Sequence, residues 1–294
     1  MTWWEALILG VVQGLAEFLP ISSSGHLVLG EHLLGIDEQS ITFEVFVHFG
    51  TVLSIVKVYW KRILDILGSF FKALASPSRL IRAFSPGTIE HVTREPLAAE
   101  VGADPAAPTA PNGSVRLALF ILLTMIPTAV VYVLFGDWLE AQFNDPRFAC
   151  GMLLVTGTLL LLIRFRPDPN GVLTPGKSLV IGLAQGAAMI PGISRSGSTI
   201  ASAIYMNVDR KEAADFSFLM LLPVIVGATL LQVLDLLDAD AAIDWLPLLL
   251  GTAVAYASGI WAIKVVIDFV QRGNLQYFAY YCFAAGTLGL LLIG

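Results

Sequence analysis

A run of polar residues interrupts this apolar chain twice, in the same order both times. The first is Gln13-Gly14-Leu15-Ala16-Glu17-Phe18-Leu19-Pro20-Ile21-Ser22-Ser23-Ser24-Gly25-His26. The second is Gln185-Gly186-Ala187-Ala188-Met189-Ile190-Pro191-Gly192-Ile193-Ser194-Arg195-Ser196-Gly197-Ser198-Thr199. At one constant offset Gly10 meets Gly182, Gln13 meets Gln185, Gly14 meets Gly186, Ala16 meets Ala188, Ile21 meets Ile193, Ser22 meets Ser194, Ser24 meets Ser196 and Gly25 meets Gly197. Agreement at so many glycine, glutamine and serine positions marks an internal repeat, the kind that membrane transport and lipid-processing folds are built from. Residues 1–171 are read as the first half and 172–294 as the second, within one integral membrane domain spanning 1–294.

The surroundings give the repeat its meaning. The chain is 56% hydrophobic and 14% charged, where a soluble domain carries roughly 25% charged residues. It therefore reads as an all-α polytopic membrane protein. The net charge of −6 says little about partners, because in such proteins the placement of charge matters more than its sum. Cys150 and Cys282 both fall in apolar segments and read as small buried hydrophobes. No cysteine–histidine cluster has zinc spacing. No basic segment precedes the first apolar run, so it is not expected to be a cleaved signal peptide. Trp3 and Trp4 suit the membrane interface.

Taken in order, Glu5 to Leu19 predicts a helix of about fifteen residues, too short for a ~30 Å hydrocarbon core that needs roughly twenty. It stops at Pro20, and a second short helix is expected from about His26 to Leu34. Two half-length helices around a Pro/Ser/Gly loop predict a re-entrant hairpin, since irregular backbone at membrane depth must be buried in protein or line a wet cavity. Thr42 to Trp60 predicts a full span ending at Lys57, Lys61 and Arg62. Residues 62–115 read as an insert: an amphipathic surface helix over Ile63 to Leu74, then a mobile loop from Pro86 to Pro111 that contains a solvated His91. Leu117 to Leu134, kinked at Pro127, and Phe148 to Ile163 complete the first half. The second half predicts a hairpin from Ser178 to Val208 and spans over Glu212 to Leu236, Trp245 to Asp268 and Leu275 to Ile293, with an acidic loop from Asp235 to Asp244. This arrangement leaves only Arg147 outside and Arg195 in a hairpin loop; the rest of the 17 lysines and arginines fall on the inner side, as the positive-inside rule requires. The expectation is six transmembrane helices plus two re-entrant helical hairpins, in halves of inverted topology whose broken helices meet near the midplane.

Polar groups at that depth mark a functional site by default. Gln13 and Glu17 lie one helical turn apart and share a face. Glu17 needs a partner: a cation, Arg195 or a proton. The half-helix after the serine loop presents free amides that favour an anion. Ser22, Ser23 and Ser24 offer hydroxyls and one nucleophile, and His26 a general acid or base. Arg195 suits bidentate phosphate binding. These are parts for binding and cleaving a phosphate ester or anhydride. A loop that merely caps broken helices would not account for Glu17, His26 and Arg195 together. His48, in the first full span, can approach the site, but a buried structural role is the expectation; His32 is expected near the outer interface.

Gln-Gly-x-x-Glu-Phe-Leu-Pro-x-Ser-Ser-x-Gly-His at Gln13 to His26 resembles the first signature of the bacterial undecaprenyl-diphosphatase family, the bacitracin-resistance proteins. Pro191 to Thr199 resembles its second, Pro-Gly-x-Ser-Arg-Ser-Gly-x-Thr. The resemblance extends over nearly the whole chain. It implies hydrolysis of undecaprenyl diphosphate to undecaprenyl phosphate and phosphate, recycling the lipid carrier of peptidoglycan synthesis. It also implies a divalent cation (Mg²⁺ or Ca²⁺), a bacterial inner-membrane location and an active site facing the periplasm. The matching positions imply catalytic roles for Ser23, His26, Arg195 and Glu17. Gln13 and Glu17 would hold the metal, with Gln13 where many members have Glu. Gln13, Ser22, Ser24, Gly25, Ser194, Ser196, Gly197 and Thr199 would bind the diphosphate. The expected partners are the polyprenyl diphosphate and the bilayer; no nucleic acid is expected, and a homodimer is admitted. The rival reading is a transporter or flippase of polyprenyl phosphate or another anion. It would use Arg195 and the amides in the same way, but would not need Ser23 and His26 as a reactive pair.

Overall fold

The computed structural model describes residues 1–36, 41–75, 111–143, 145–237 and 244–293. Most of the expected mobile loop, with His91, and residues 238–243 of the acidic loop lie outside them. Among the described residues every regular element is a helix. The elements are α1 (Trp3–Ala16), α2 (Ser23–Leu34), α3 (Ile41–Leu74), α4 (Pro111–Gln142), α5 (Pro146–Leu162), a 3-10 turn (Ile163–Phe165), α6 (Pro175–Ala187), α7 (Arg195–Tyr205), α8 (Arg210–Leu237), α9 (Trp245–Gln271) and α10 (Gln276–Leu292). Thr42–Leu74, Gly113–Gln142, Pro146–Phe165 and Trp245–Gln271 are long and apolar enough to cross a membrane. Their outward faces expose Ile126, Val130, Val133, Leu134, Phe135, Leu162 and Trp261, an apolar surface that a soluble protein would not leave to water.

Local chemistry sets the helix ends. The Thr2 amide donates to Glu5 Oε2 at 2.7 Å, closing the first turn of α1. Asp145 accepts from the amides of Arg147 and Phe148, at 2.9 and 3.0 Å, just before Pro146 opens α5. Gly35, at φ +68°, ends α2 in the left-handed conformation that glycine favours.

Two boundaries differ from expectation. The predicted surface helix over Ile63 to Leu74 is not separate: it continues α3 past a kink at Tyr59, where φ is −104° and ψ is 18°. Lysine and arginine end an apolar pattern without ending a helix, because both are good helix formers. The kink is held from the side. Asp215 of α8 accepts from the Tyr59 hydroxyl at 2.8 Å and pairs with Arg62 at 3.0 Å, all three being buried. Likewise α4 runs well past Leu134, with Pro127 inside it.

The repeated glycines do one job twice. A Cβ on Gly10 would lie 2.6 Å from the carbonyl oxygen of Gly251, and one on Gly14 would lie 2.9 Å from Ala255 Cα. A Cβ on Gly182 would lie 2.6 Å from both Thr124 O and Pro127 Cγ, and one on Gly186 2.8 Å from Val131 Cγ2. So α1 lies against α9, and α6 against α4, each across a pair of glycines four apart that lets the backbones approach. Each short helix thus leans on a long one from the other half of the sequence. Gly10→Ala is expected to destabilise the protein by about 1–3 kcal/mol through overpacking. Thermal unfolding in detergent reads it, and an unchanged midpoint would rule out so close a crossing.

The core gathers around the first loop. Phe18, fully buried, meets Phe218 of α8 edge-on at 5.7 Å between ring centroids. Ile55, Ile200, Ile204, Phe216 and Ile263 belong to the same cluster. Anchoring Phe18 fixes the neighbouring Glu17.

Candidate active site

The chain leaves α1 through tight turns. The Glu17 amide reaches Gln13 O at 2.9 Å, and the Leu19 amide reaches Leu15 O at 3.0 Å. Ser22 then caps α2 at a positive φ of 71°, a backbone state uncommon for any residue but glycine. Its Oγ accepts from the Gly25 amide at 3.3 Å and lies 3.3 Å from Ser24 Oγ. The second loop repeats these hydroxyl contacts, with Ser194 at an ordinary φ of −70°. Ser194 caps α7, accepts from the Gly197 amide at 3.1 Å and lies 3.3 Å from Ser196 Oγ. The two loops touch. Ser196 Oγ donates to Leu19 O at 3.2 Å, and a Cβ on Gly25 would lie 3.0 Å from Gly192 Cα.

Where the loops meet, Glu17 is the hub. Its residue is 3% exposed. Oε2 accepts from Ser23 Oγ at 2.6 Å and from Gln13 Nε2 at 3.1 Å. Oε1 pairs with the guanidinium of Arg195. One carboxylate therefore ties the serine of the first loop to the arginine of the second. Beside them is a cavity of about 320 Å³. Glu17, Ser22, Ser23, Ser24 and Arg195 line its polar part, with Glu44 and His48 of α3. Tyr132 and Leu139 of α4, Phe143 just beyond its end, and Val224 and Ile225 of α8 line its apolar part.

The expected site residues take different places around this cavity. Ser23 and His26 are not a hydrogen-bonded pair. His26 Nδ1 bonds the Ser22 carbonyl at 2.8 Å and Nε2 bonds the Tyr281 hydroxyl at 2.7 Å; a carbonyl only accepts, so in the neutral ring Nδ1 donates and Nε2 accepts. Ser23 instead donates to Glu17. Gly25, Ser194, Ser196, Gly197 and Thr199 are not among the cavity's lining residues. They build the loops: Thr199 Oγ1 donates to Arg195 O at 2.8 Å and lies 2.5 Å from Ser217 Oγ of α8. Gln13 sits behind Glu17, fully buried, with Oε1 unpartnered.

His48 is the residue least expected here. Its Nδ1 donates to Glu44 O at 2.8 Å, and Nε2 faces Glu17 Oε2 at 3.8 Å. It is a cavity residue rather than a purely structural one. The signal was present in the sequence: a carboxylate and an imidazole one turn apart inside an apolar helix. His32 is exposed, and both cysteines are buried and free.

The residues fit a divalent cation in part. Gln13 Oε1 is a buried oxygen without a donor, adjacent to Glu17. Glu17, Glu44 and Glu140 stand on the cavity wall against the single guanidinium of Arg195. No group of three or more acidic, histidine or cysteine side chains forms a cage among the described residues.

Comparison with known proteins gives the arrangement its relatives. The model of the family described as Bacitracin resistance protein BacA matches residues 6–288. A protein of Salinibacter ruber named undecaprenyl-diphosphatase is 50% identical over 295 residues, covering 100% of both chains. One of the same name from Desulfosudis oleivorans is 41% identical over 290 residues, 97% of each chain. Another from Halothermothrix orenii is 37% identical over 298 residues, covering 100% of this chain and 99% of that protein. A match over nearly the full length, with both polar loops inside it, shows that the chain belongs to the family of the bacitracin resistance protein BacA.

Proposed function

We propose that the protein hydrolyses undecaprenyl diphosphate to undecaprenyl phosphate and inorganic phosphate, recycling the lipid carrier of peptidoglycan synthesis and so conferring bacitracin resistance. The observation that carries this reading is the convergence of Ser23 and Arg195 on Glu17 beside a cavity, in a chain whose full-length relatives are named for that reaction. About 320 Å³ suits a diphosphate head and not a long polyprenyl chain. The tail then lies along the apolar faces of α4 and α8.

In the proposed reaction Ser23 Oγ attacks the terminal phosphorus as its proton passes to Glu17 Oε2. The P–O bond to the bridging oxygen breaks, and the lipid leaves as its monophosphate. Water then cleaves the Ser23 phosphoester and releases phosphate. A carboxylate accepting a hydroxyl proton is a recurrent part of phosphoryl transfer, whose transition state is stabilised mainly by positioned charge. Arg195 supplies that charge on the transferred group. Glu17 and Gln13 would hold Mg²⁺ or Ca²⁺, which when bound neutralises diphosphate oxygens that would otherwise face Glu44 and Glu140.

His26 is assigned a positioning role, fixed by Tyr281. Tyr281→Phe removes one hydrogen bond, worth roughly 0.5–1.5 kcal/mol, and is expected to slow phosphate release by no more than about tenfold. A thousandfold loss would put His26 among the reacting groups.

The finer topology is part of the same proposal. The close pairing of α1 with α9 and of α6 with α4 supports two inverted halves, 1–171 and 172–294. With α8 and α10 counted as spans, they give six crossings and two re-entrant hairpins, with the site facing the periplasm of a bacterial inner membrane. Phosphate release from a prenyl diphosphate by purified protein in detergent, with Mg²⁺, Ca²⁺ or EDTA, tests the function. Metal-dependent release is expected. No release from folded protein would leave the two loops as an anion site of a transporter.

A further inference from the structure

A second cavity, of about 550 Å³, lies on the outer flank of α3 and α9, lined by Leu53, Val56, Lys57, Trp60, Lys61 and Tyr256. Lys57 and Lys61 are one helical turn apart and both exposed. Among the described residues neither takes part in an ion pair. Trp60 is 53% exposed. Helices α3 and α9 are locked in register here: Ser54 Oγ donates to Tyr256 O at 2.8 Å, and Thr252 Oγ1 to Phe46 O at 3.1 Å. The walls of the cavity therefore do not depend on a mobile segment.

Counted along α3, this cavity falls near the end of the expected Thr42 to Trp60 span. Lys57 comes sixteen residues into α3, about 24 Å along it at ~1.5 Å per residue, close to the far edge of a ~30 Å core. Two ammonium groups there reach toward the headgroups on apolar stems. Leu53, a turn before Lys57, and Val56, a turn before Trp60, continue the cavity as an apolar wall. The wall accommodates an acyl chain while the lysines meet a phosphate. A soluble anion would use the lysines and leave the wall empty.

We infer that this groove binds the headgroup of an anionic phospholipid, with the phosphate between Lys57 and Lys61 and the glycerol and upper acyl chain against Leu53, Val56, Trp60 and Tyr256. The site is separate from the cavity at Glu17, and the inference does not rest on the reaction assigned there.

Native mass spectrometry of the full chain in neutral detergent tests it, using phosphatidylglycerol, phosphatidylcholine of the same acyl chains, and inorganic phosphate. A lysine near an anionic headgroup contributes about 1 kcal/mol, so Lys57→Gln with Lys61→Gln is expected to weaken retention of phosphatidylglycerol by roughly tenfold to thirtyfold. Phosphatidylcholine retention and phosphate release are expected to be the same in wild type and variant, and Lys57→Arg with Lys61→Arg to restore phosphatidylglycerol. Millimolar inorganic phosphate is expected not to displace the lipid. Equal retention of phosphatidylglycerol by wild type and the glutamine variant would overturn the site. Displacement by inorganic phosphate would overturn the lipid as its occupant.

Discussion

Replacing Glu17 with Gln is expected to lower phosphate release by roughly a thousandfold, within the range of lost acid–base groups. The substitution is close to isosteric. The amide oxygen can still accept the Ser23 hydroxyl, but it takes no proton and carries no charge for Arg195. Since Glu17 holds both Ser23 and Arg195, one change unties the proposed nucleophile and frees the arginine. The residue is buried, so folding is checked by gel filtration and thermal unfolding before rates are compared. A folded variant within tenfold of wild type would remove Glu17 from the chemistry and leave it a bridge between two loops.

Arg195→Ala is expected to cost roughly 3–4 kcal/mol of transition-state stabilisation, as the loss of one oxyanion donor does, or about a hundredfold to a thousandfold in rate. The fall should appear in kcat as well as kcat/KM, because the charge Arg195 meets grows as the phosphoryl group transfers. Lysine at this position keeps the charge and loses the planar fork, so Arg195→Lys should recover only part of the rate. An effect confined to KM would make Arg195 a binding group for the ground-state diphosphate.

Much of this site was legible before any fold was known, for one physical reason. In an apolar chain Glu17, Ser23 and Arg195 stand out because burying them without partners is costly. The repeat told where the second loop was. It did not tell which side chains of that loop line the cavity: Arg195 does, while Ser194, Ser196 and Thr199 hydrogen-bond within the loops and to their neighbours. Capping and ligand binding use the same hydroxyls, and spacing alone does not separate them.

The partner of His26 was not legible for a different reason. Its proximity to Ser23 in sequence suggested a pair, while its partner Tyr281 lies 255 positions away. That His48 can approach the site was legible in the sequence; that Glu44 lines the same cavity was not drawn from it, because the span carrying both is otherwise regular. The glycines at 10, 14, 182 and 186 were visible as a repeat, but their partners on α9 and α4 were not. Helix pairing is a tertiary outcome that a period along the sequence does not encode.

The central claim is that Ser23 attacks phosphorus and a water later replaces it. The stereochemical course at the transferred phosphorus tests that claim most directly, with a substrate made chiral at its terminal phosphate by sulfur and oxygen isotopes and hydrolysed in isotopically labelled water. Two in-line displacements, through Ser23 and then water, give net retention of configuration, and retention is the result expected. Inversion would mean a single displacement by water and would leave Ser23 as a binding group beside Glu17.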